Sequence, residues 1–158
     1  MSDKVKVISA VNGRCGIDNL DLRISRTWPG RGAVVTFTKE QIEELMFDPA
    51  FRNMVNEGML YIEDFELKKE IGVEPEDADR ETLILMDDKA LERFWKIMPM
   101  SQFKLETKTL TKAQLDFLAD YAIQHGEDGN IEKANYLTKI SGRQILKGIE
   151  LEKQSKEV

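Results

Sequence analysis

The apolar pattern changes period at Thr38, and this restricts the chain to folds that join a β-rich N-terminal part to a largely helical remainder. Before that point Val5, Val7 and Ser9 alternate with Lys6, Ile8 and Ala10, and Leu20, Leu22 and Ile24 alternate with Asp21, Arg23 and Ser25. The run from Ala33 to Phe37 is β-branched and apolar. A period of two and β-branched side chains both favour strands. Asn12-Gly13 is a strong hairpin signal, because both residues tolerate the positive φ of a type I′ turn, so Arg14 to Ile17 is expected to return along the first strand. Trp28-Pro29-Gly30-Arg31-Gly32 reads as a loop.

From Thr38 the spacing becomes helical. Thr38-Lys39-Glu40-Gln41 fits a capping box ahead of Ile42, Leu45 and Met46. Asp48-Pro49 opens a second short helix through Phe51, Met54 and Val55, closed by Gly58. Met59 to Ile62 is a short strand, and residues 65–71 make a helical turn or two before Gly72. Residues 74–81, EPEDADRE, have almost nothing apolar and read as an exposed acidic loop or linker. Thr82 to Met86 is a strand or the first turn of the next helix. Helices follow from Asp87 to Met98, from Pro99 through Phe103, and from a Thr111 cap to His125. Another runs from Ile131 towards Ile140, and the last is capped by a second box, Ser141-Gly142-Arg143-Gln144. The expected class is therefore α+β. An N-terminal antiparallel β-rich unit with two short helices covers 1–73, a linker 74–81, a helical bundle 82–152 and a frayed tail 153–158. The two units form separate domains or one compact body.

Several chemistries are excluded or unsupported. The 158 residues include one cysteine, Cys15, and one histidine, His125, which excludes an intramolecular disulfide and a His/Cys zinc cage. No apolar run approaches the ~20 residues of a membrane span, and MSDKVKV lacks the apolar core of a signal peptide. Gly30-Arg31-Gly32 leads into a strand and lacks the lysine and hydroxyl of a phosphate-binding loop. The Glu74–Asp79 run lacks the central glycine and terminal glutamate of a calcium loop, and Asp128–Glu132 is too short for one. No cofactor is expected, and no catalytic role for Cys15 or His125.

Charge is uneven. Residues 1–39 carry +4, residues 40–99 carry −10, and residues 100–158 are neutral, for a total of −6. A docking surface centred on Arg23, Arg26, Trp28 and Arg31 follows from the basic third, since Arg and Trp make good interface anchors. The plainer alternative has Trp28 filling the core and the arginines pairing with the acidic middle. Nucleic-acid binding is a rival, because basic and stacking groups share this β region and the helices at 112–124, 131–139 and 142–152 have helix-turn-helix proportions. Against it, Glu150 and Glu152 flank Arg143 and Lys147, and the chain is acidic overall.

The stretch from Leu20 to Asp64, with Leu22-Arg23-Ile24-Ser25-Arg26-Thr27-Trp28, Leu45-Met46-Phe47-Asp48-Pro49 and Gly58-Met59-Leu60-Tyr61-Ile62-Glu63-Asp64, carries a resemblance that Ile140 to Lys147 extends. It resembles small accessory proteins encoded among the virion structural genes of tailed phages infecting gut bacteria. The resemblance implies a non-enzymatic structural role in or on the particle, chiefly as a capsid accessory or decoration protein. It implies contacts with other virion proteins, foremost the major capsid protein, or with further copies of the chain itself. Synthesis would occur in the host cytoplasm and residence in the virion, with neither nucleic acid nor membrane as partner. These proteins have no catalytic signature, so no site is carried over. A cytosolic nucleic-acid-binding or regulatory module is the alternative.

Overall fold

A computed structural model describes residues 3–156, and its architecture is α+β. The chain divides into two compact units, Met1–Asp87 and Asp88–Val158.

In the first unit the strands are β1 (Lys4–Ser9), β2 (Cys15–Asn19), β3 (Ile24–Trp28) and β4 (Val34–Thr38). Helices α1 (Lys39–Leu45) and α2 (Pro49–Asn56) follow, then strand β5 (Leu60–Ile62) and helix α3 (Phe65–Glu70). The sheet order is β4-β1-β5, all antiparallel, with Val7 opposite Val35 on one side and Ile62 on the other. Alternation along β1 puts Val5, Val7 and Ser9 inside and Lys4 and Lys6 in solvent. Trp28, Phe37 and Phe51 form a chain of rings with centroids 6.0 and 6.4 Å apart, and Ile42, Leu45, Val55, Leu60, Ile62 and Leu67 complete the core. The Thr38 capping box forms as the sequence predicts, Thr38 accepting from the Gln41 amide and Gln41 accepting from the Thr38 amide. Asp48 likewise caps α2, accepting from the Ala50 amide.

Two sequence expectations for this unit are corrected. Residues 14–17 do not return along β1. Both edges of β1 are taken by β4 and β5, and the Ala10 amide is already bonded to the Met59 carbonyl, so β2 pairs with β3 instead. The alternating run from Leu20 to Ser25 is not one strand either. Asn19 accepts from the Leu22 amide, Arg23 donates its amide to the Leu20 carbonyl, and Arg23 takes a φ of 56°, which together make a turn between β2 and β3. Asn and Asp side chains stabilise such turns by bonding backbone two or three residues on, and here that outweighs the alternation.

The expected linker at 74–81 lies within the first unit. Residues 75–77, 79 and 80 are exposed as expected, yet both ends of the segment are anchored. Glu74 is buried and accepts from the Thr82 amide, the Thr82 hydroxyl and the Leu83 amide. Glu81 accepts from the Tyr61 hydroxyl at 2.7 Å and from the buried Lys68 ammonium at 3.0 Å, and that ammonium also stands 4.2 Å from the centre of the Tyr61 ring. Residues 82–86 form no strand.

The second unit comprises α4 (Asp88–Glu92), a π-helical turn at Arg93–Ile97, α5 (Met100–Thr107) and α6 (Lys112–Gln124), then a 3₁₀ turn at Gly126–Asp128, α7 (Ile131–Ser141) and α8 (Ile145–Lys156). The helices α6, α7 and α8 lie against one another. Phe94 and Phe103 meet edge to face at 6.3 Å, and Phe103 meets Tyr136 at 6.1 Å. The Met98 amide is spent on the Arg93 carbonyl and Pro99 has no N–H, so the end of the π turn leaves carbonyls short of their usual donors. Here Lys133, buried on α7, supplies them, donating to the carbonyls of Phe94 at 2.8 Å and Trp95 at 3.0 Å. The Trp95 indole N–H donates to the His125 carbonyl at 2.7 Å, and the ring lies so close to Gly129 that a Cβ there would stand 2.1 Å from it.

The Thr111 cap forms as predicted, with Gln114 completing a capping box there. The capping box predicted at Ser141 does not form. Ser141 closes α7, its hydroxyl bonding back to the Leu137 carbonyl, Gly142 ends that helix with φ +75°, and the Thr138 hydroxyl accepts from the first amide of α8. The tail expected to fray from 153 is helical through Lys156, and its last two positions lie outside the described residues.

Candidate interaction surface

The four residues expected to form a docking surface separate by environment. Trp28, at the end of β3, is fully buried, and its indole N–H donates to the Val7 carbonyl at 2.9 Å. It is removed from any contact surface, with its ring packed against Phe37 in the core. The plainer reading of Trp28 as a core side chain is the correct one. Arg31 is half-buried and donates Nε to the Ala10 carbonyl at 3.1 Å, tying the β3–β4 loop to the end of β1. Arg26 is exposed on β3 with its guanidinium 5.3 Å from the centre of the Phe37 ring. Arg23 is exposed in the β2–β3 turn. Arg23 and Arg26 therefore remain available to a partner, and they stand on a hairpin that shares no ladder with the three-stranded sheet.

Two apolar groups stand in solvent at and beside the β2–β3 turn, one of them Leu20, which the alternation places on a buried face. Leu20 is 83% exposed and Phe47, between α1 and α2, is 86% exposed. The turn is fixed to the helix corner by a hydrogen bond of 3.0 Å from the Asn19 amide to the Asp48 carboxylate. Asp48 thereby serves twice, capping α2 with one oxygen and holding Asn19 with the other. A notch of about 320 Å³ lies between the turn and the corner, with Leu22 and Phe47 in its wall beside Asp21 and Glu44. A sequence signal for Phe47 exists. It precedes the Asp48 cap, where an apolar residue normally staples onto the fourth helical position, and that position is Arg52. Nothing in the local pattern covers the ring.

Cys15 is half-buried at the start of β2, its sulfur 3.5 Å from the Ser9 hydroxyl. In the second unit His125 ends α6, stacks on Tyr121 at 4.2 Å, and lies 3.9 Å from Asp128, which also pairs with Lys96 at 3.4 Å. His125 and Asp128 border a cleft of about 360 Å³ with Ile149 and Glu152. Burial raises the Tyr121 hydroxyl above its ordinary value, so it is a phenol at neutral pH. Arg143, one of the bases weighed for nucleic-acid binding, lies just before α8 and is bonded to Asp120 at 2.7 Å and to the Asp116 carbonyl at 3.3 Å. That arginine is engaged within its own unit. Among the described residues no group of three or more His, Cys, Asp or Glu side chains is placed to hold a metal ion, and no helix is long and apolar enough to cross a membrane.

Comparison of the chain with family models, with curated proteins and with solved structures found no match.

Proposed function

We propose that this protein is a non-enzymatic structural component of a phage particle, a capsid accessory or decoration protein that acts through protein–protein contacts. The observation that carries the contact role is the pair Leu20 and Phe47, held in the open by the Asn19–Asp48 bond. Large apolar side chains kept exposed on a fixed frame gain their stabilisation when a partner covers them. The assignment to a particle is supported by the resemblance of the Leu20–Asp64 stretch. Arg23 and Arg26 add charge on the same hairpin, suited to an acidic patch on a shell protein. Quantitative mass spectrometry of purified virions tests the proposal. The expected result is a copy number in fixed ratio to the major capsid protein, and absence from purified particles overturns it. DNA binding that falls steeply with salt would instead favour the nucleic-acid module.

A further inference from the structure

We infer that the notch between the β2–β3 turn and the α1–α2 corner seats an apolar anchor residue flanked by lysine or arginine on the partner protein. The inference rests on the contact role proposed above and names its surface and its chemistry. Leu22 and Phe47 offer an apolar wall, and Leu20 stands in the same turn. The groups bordering that wall are carboxylates, Asp21 and Glu44 in solvent and Asp48 behind them, and no lysine or arginine lines the notch. A partner presenting an apolar side chain alone would leave those carboxylates facing its neutral surface and stripped of water. One flanked by acids would meet like charge. One flanked by bases buries Phe47 and pairs Asp21 and Glu44 in the same step.

The frame is set before binding. The Asn19 side chain donates to Asp48 and accepts from the Leu22 amide, so one residue fixes both the turn and its distance from the helix corner. Little ordering entropy is then left to lose on docking, which favours affinity from a small surface. Arg23, next along the turn, is the one base in that turn and does not line the notch.

The test is a titration of the isotope-labelled full chain, followed by amide resonances, with two short synthetic peptides. Both carry a central Leu-Phe pair, one flanked by lysines and the other by glutamates. The expected result is saturable binding of the lysine peptide, with shifts confined to 19–22 and 44–49. Phe47→Ser weakens it about tenfold or more, as truncation of an anchor does, and Asp21→Asn with Glu44→Gln weakens it and flattens its salt dependence. Equal binding of both peptides, shifts centred elsewhere, or no saturation overturns the inference. So does concentration-dependent self-association that Phe47→Ser abolishes, which would make a second copy the occupant. Resonances away from the notch report whether each variant stays folded. Peptide binding as expected, with the protein missing from virions, would remove the particle assignment and leave this surface standing.

Discussion

Lys133 and Phe94 meet through a hydrogen bond of 2.8 Å from a buried ammonium to a main-chain carbonyl of the π-helical turn. The irregular turn and the buried charge explain each other, since each would be costly alone. Lys133→Met keeps the length of the side chain and deletes the donor. It should destabilise the helical unit by about 2 kcal/mol, the cost of leaving buried carbonyls unbonded. Amide exchange in α7 reads this loss, and unchanged protection would show that the turn is satisfied without the lysine. Burial holds the Lys133 value below the ordinary lysine value. The unfolded chain then binds more protons than the folded one between those two values, so stability from this group rises with pH through that window. The gap between wild type and Lys133→Met should widen at alkaline pH.

The acidic segment should respond at the other end of the pH scale. Burial alone would raise Glu74, but its bonds from Thr82 and Leu83 outweigh that and hold it below the ordinary carboxylate value. A depressed carboxylate contributes stability that is complete above the unfolded value and is lost as pH falls through the folded one. Limited proteolysis between 75 and 80 should accelerate on acidification through that range. Glu74→Ala should show the accelerated cutting already at neutral pH and lose about 2 kcal/mol, because hydrogen bonds to a charged acceptor are the stronger kind. Cutting that is insensitive to both changes would mean the segment is held by other contacts.

Gly129 should not accept even one carbon. A Cβ there would stand 2.1 Å from the Trp95 ring, and that ring is held by its bond to the His125 carbonyl. Gly129→Ala is expected to cost about 1–3 kcal/mol by forcing the indole aside. Near-ultraviolet dichroism of Trp95 in a Trp28→Phe background would register the displacement. A native signal and unchanged melting would show that the loop yields without cost.

Arg23 occupies a backbone conformation that favours glycine, with φ at 56°. Arg23→Gly should therefore leave the melting temperature unchanged or slightly raised, by up to about 1 kcal/mol of stability. Particle binding by that variant together with Arg26→Ala separates docking from folding. Reduced occupancy at undiminished stability supports a contact role for the two arginines, and full occupancy would remove it.

Much of the fold is legible in the sequence because capping chemistry is local. Thr38 with Gln41, Asp48 with Pro49, and Thr111 start helices where the residues say they should. Strand pairing was less legible. Asn12-Gly13 argues for a local hairpin, but the edges of β1 go to residues 34–38 and 60–62, and no nearest-neighbour signal carries that choice. Of the four expected docking residues, Arg23 and Arg26 are exposed, although Arg23 lies in a turn and not on the alternating strand that the sequence suggests. A tryptophan beside arginines looks the same in sequence whether its ring faces inward or out, and the fold turns that of Trp28 inward. Alternation puts Leu20 on a buried face and no local pattern exposes Phe47, because exposure is a property of the finished fold.

The position of β1 also sets a timetable. Val7 pairs with Val35 and with Ile62, so β1 is made before both of its partners, and β5 is the later of the two. The β2–β3 hairpin closes over a short loop and forms early, while the central sheet must bridge long separations before any of its contacts reward closure. During synthesis one edge of β1 stays unpaired until β5 emerges, and Lys4 and Lys6 on its outer face are then its guard against pairing with a neighbouring nascent chain.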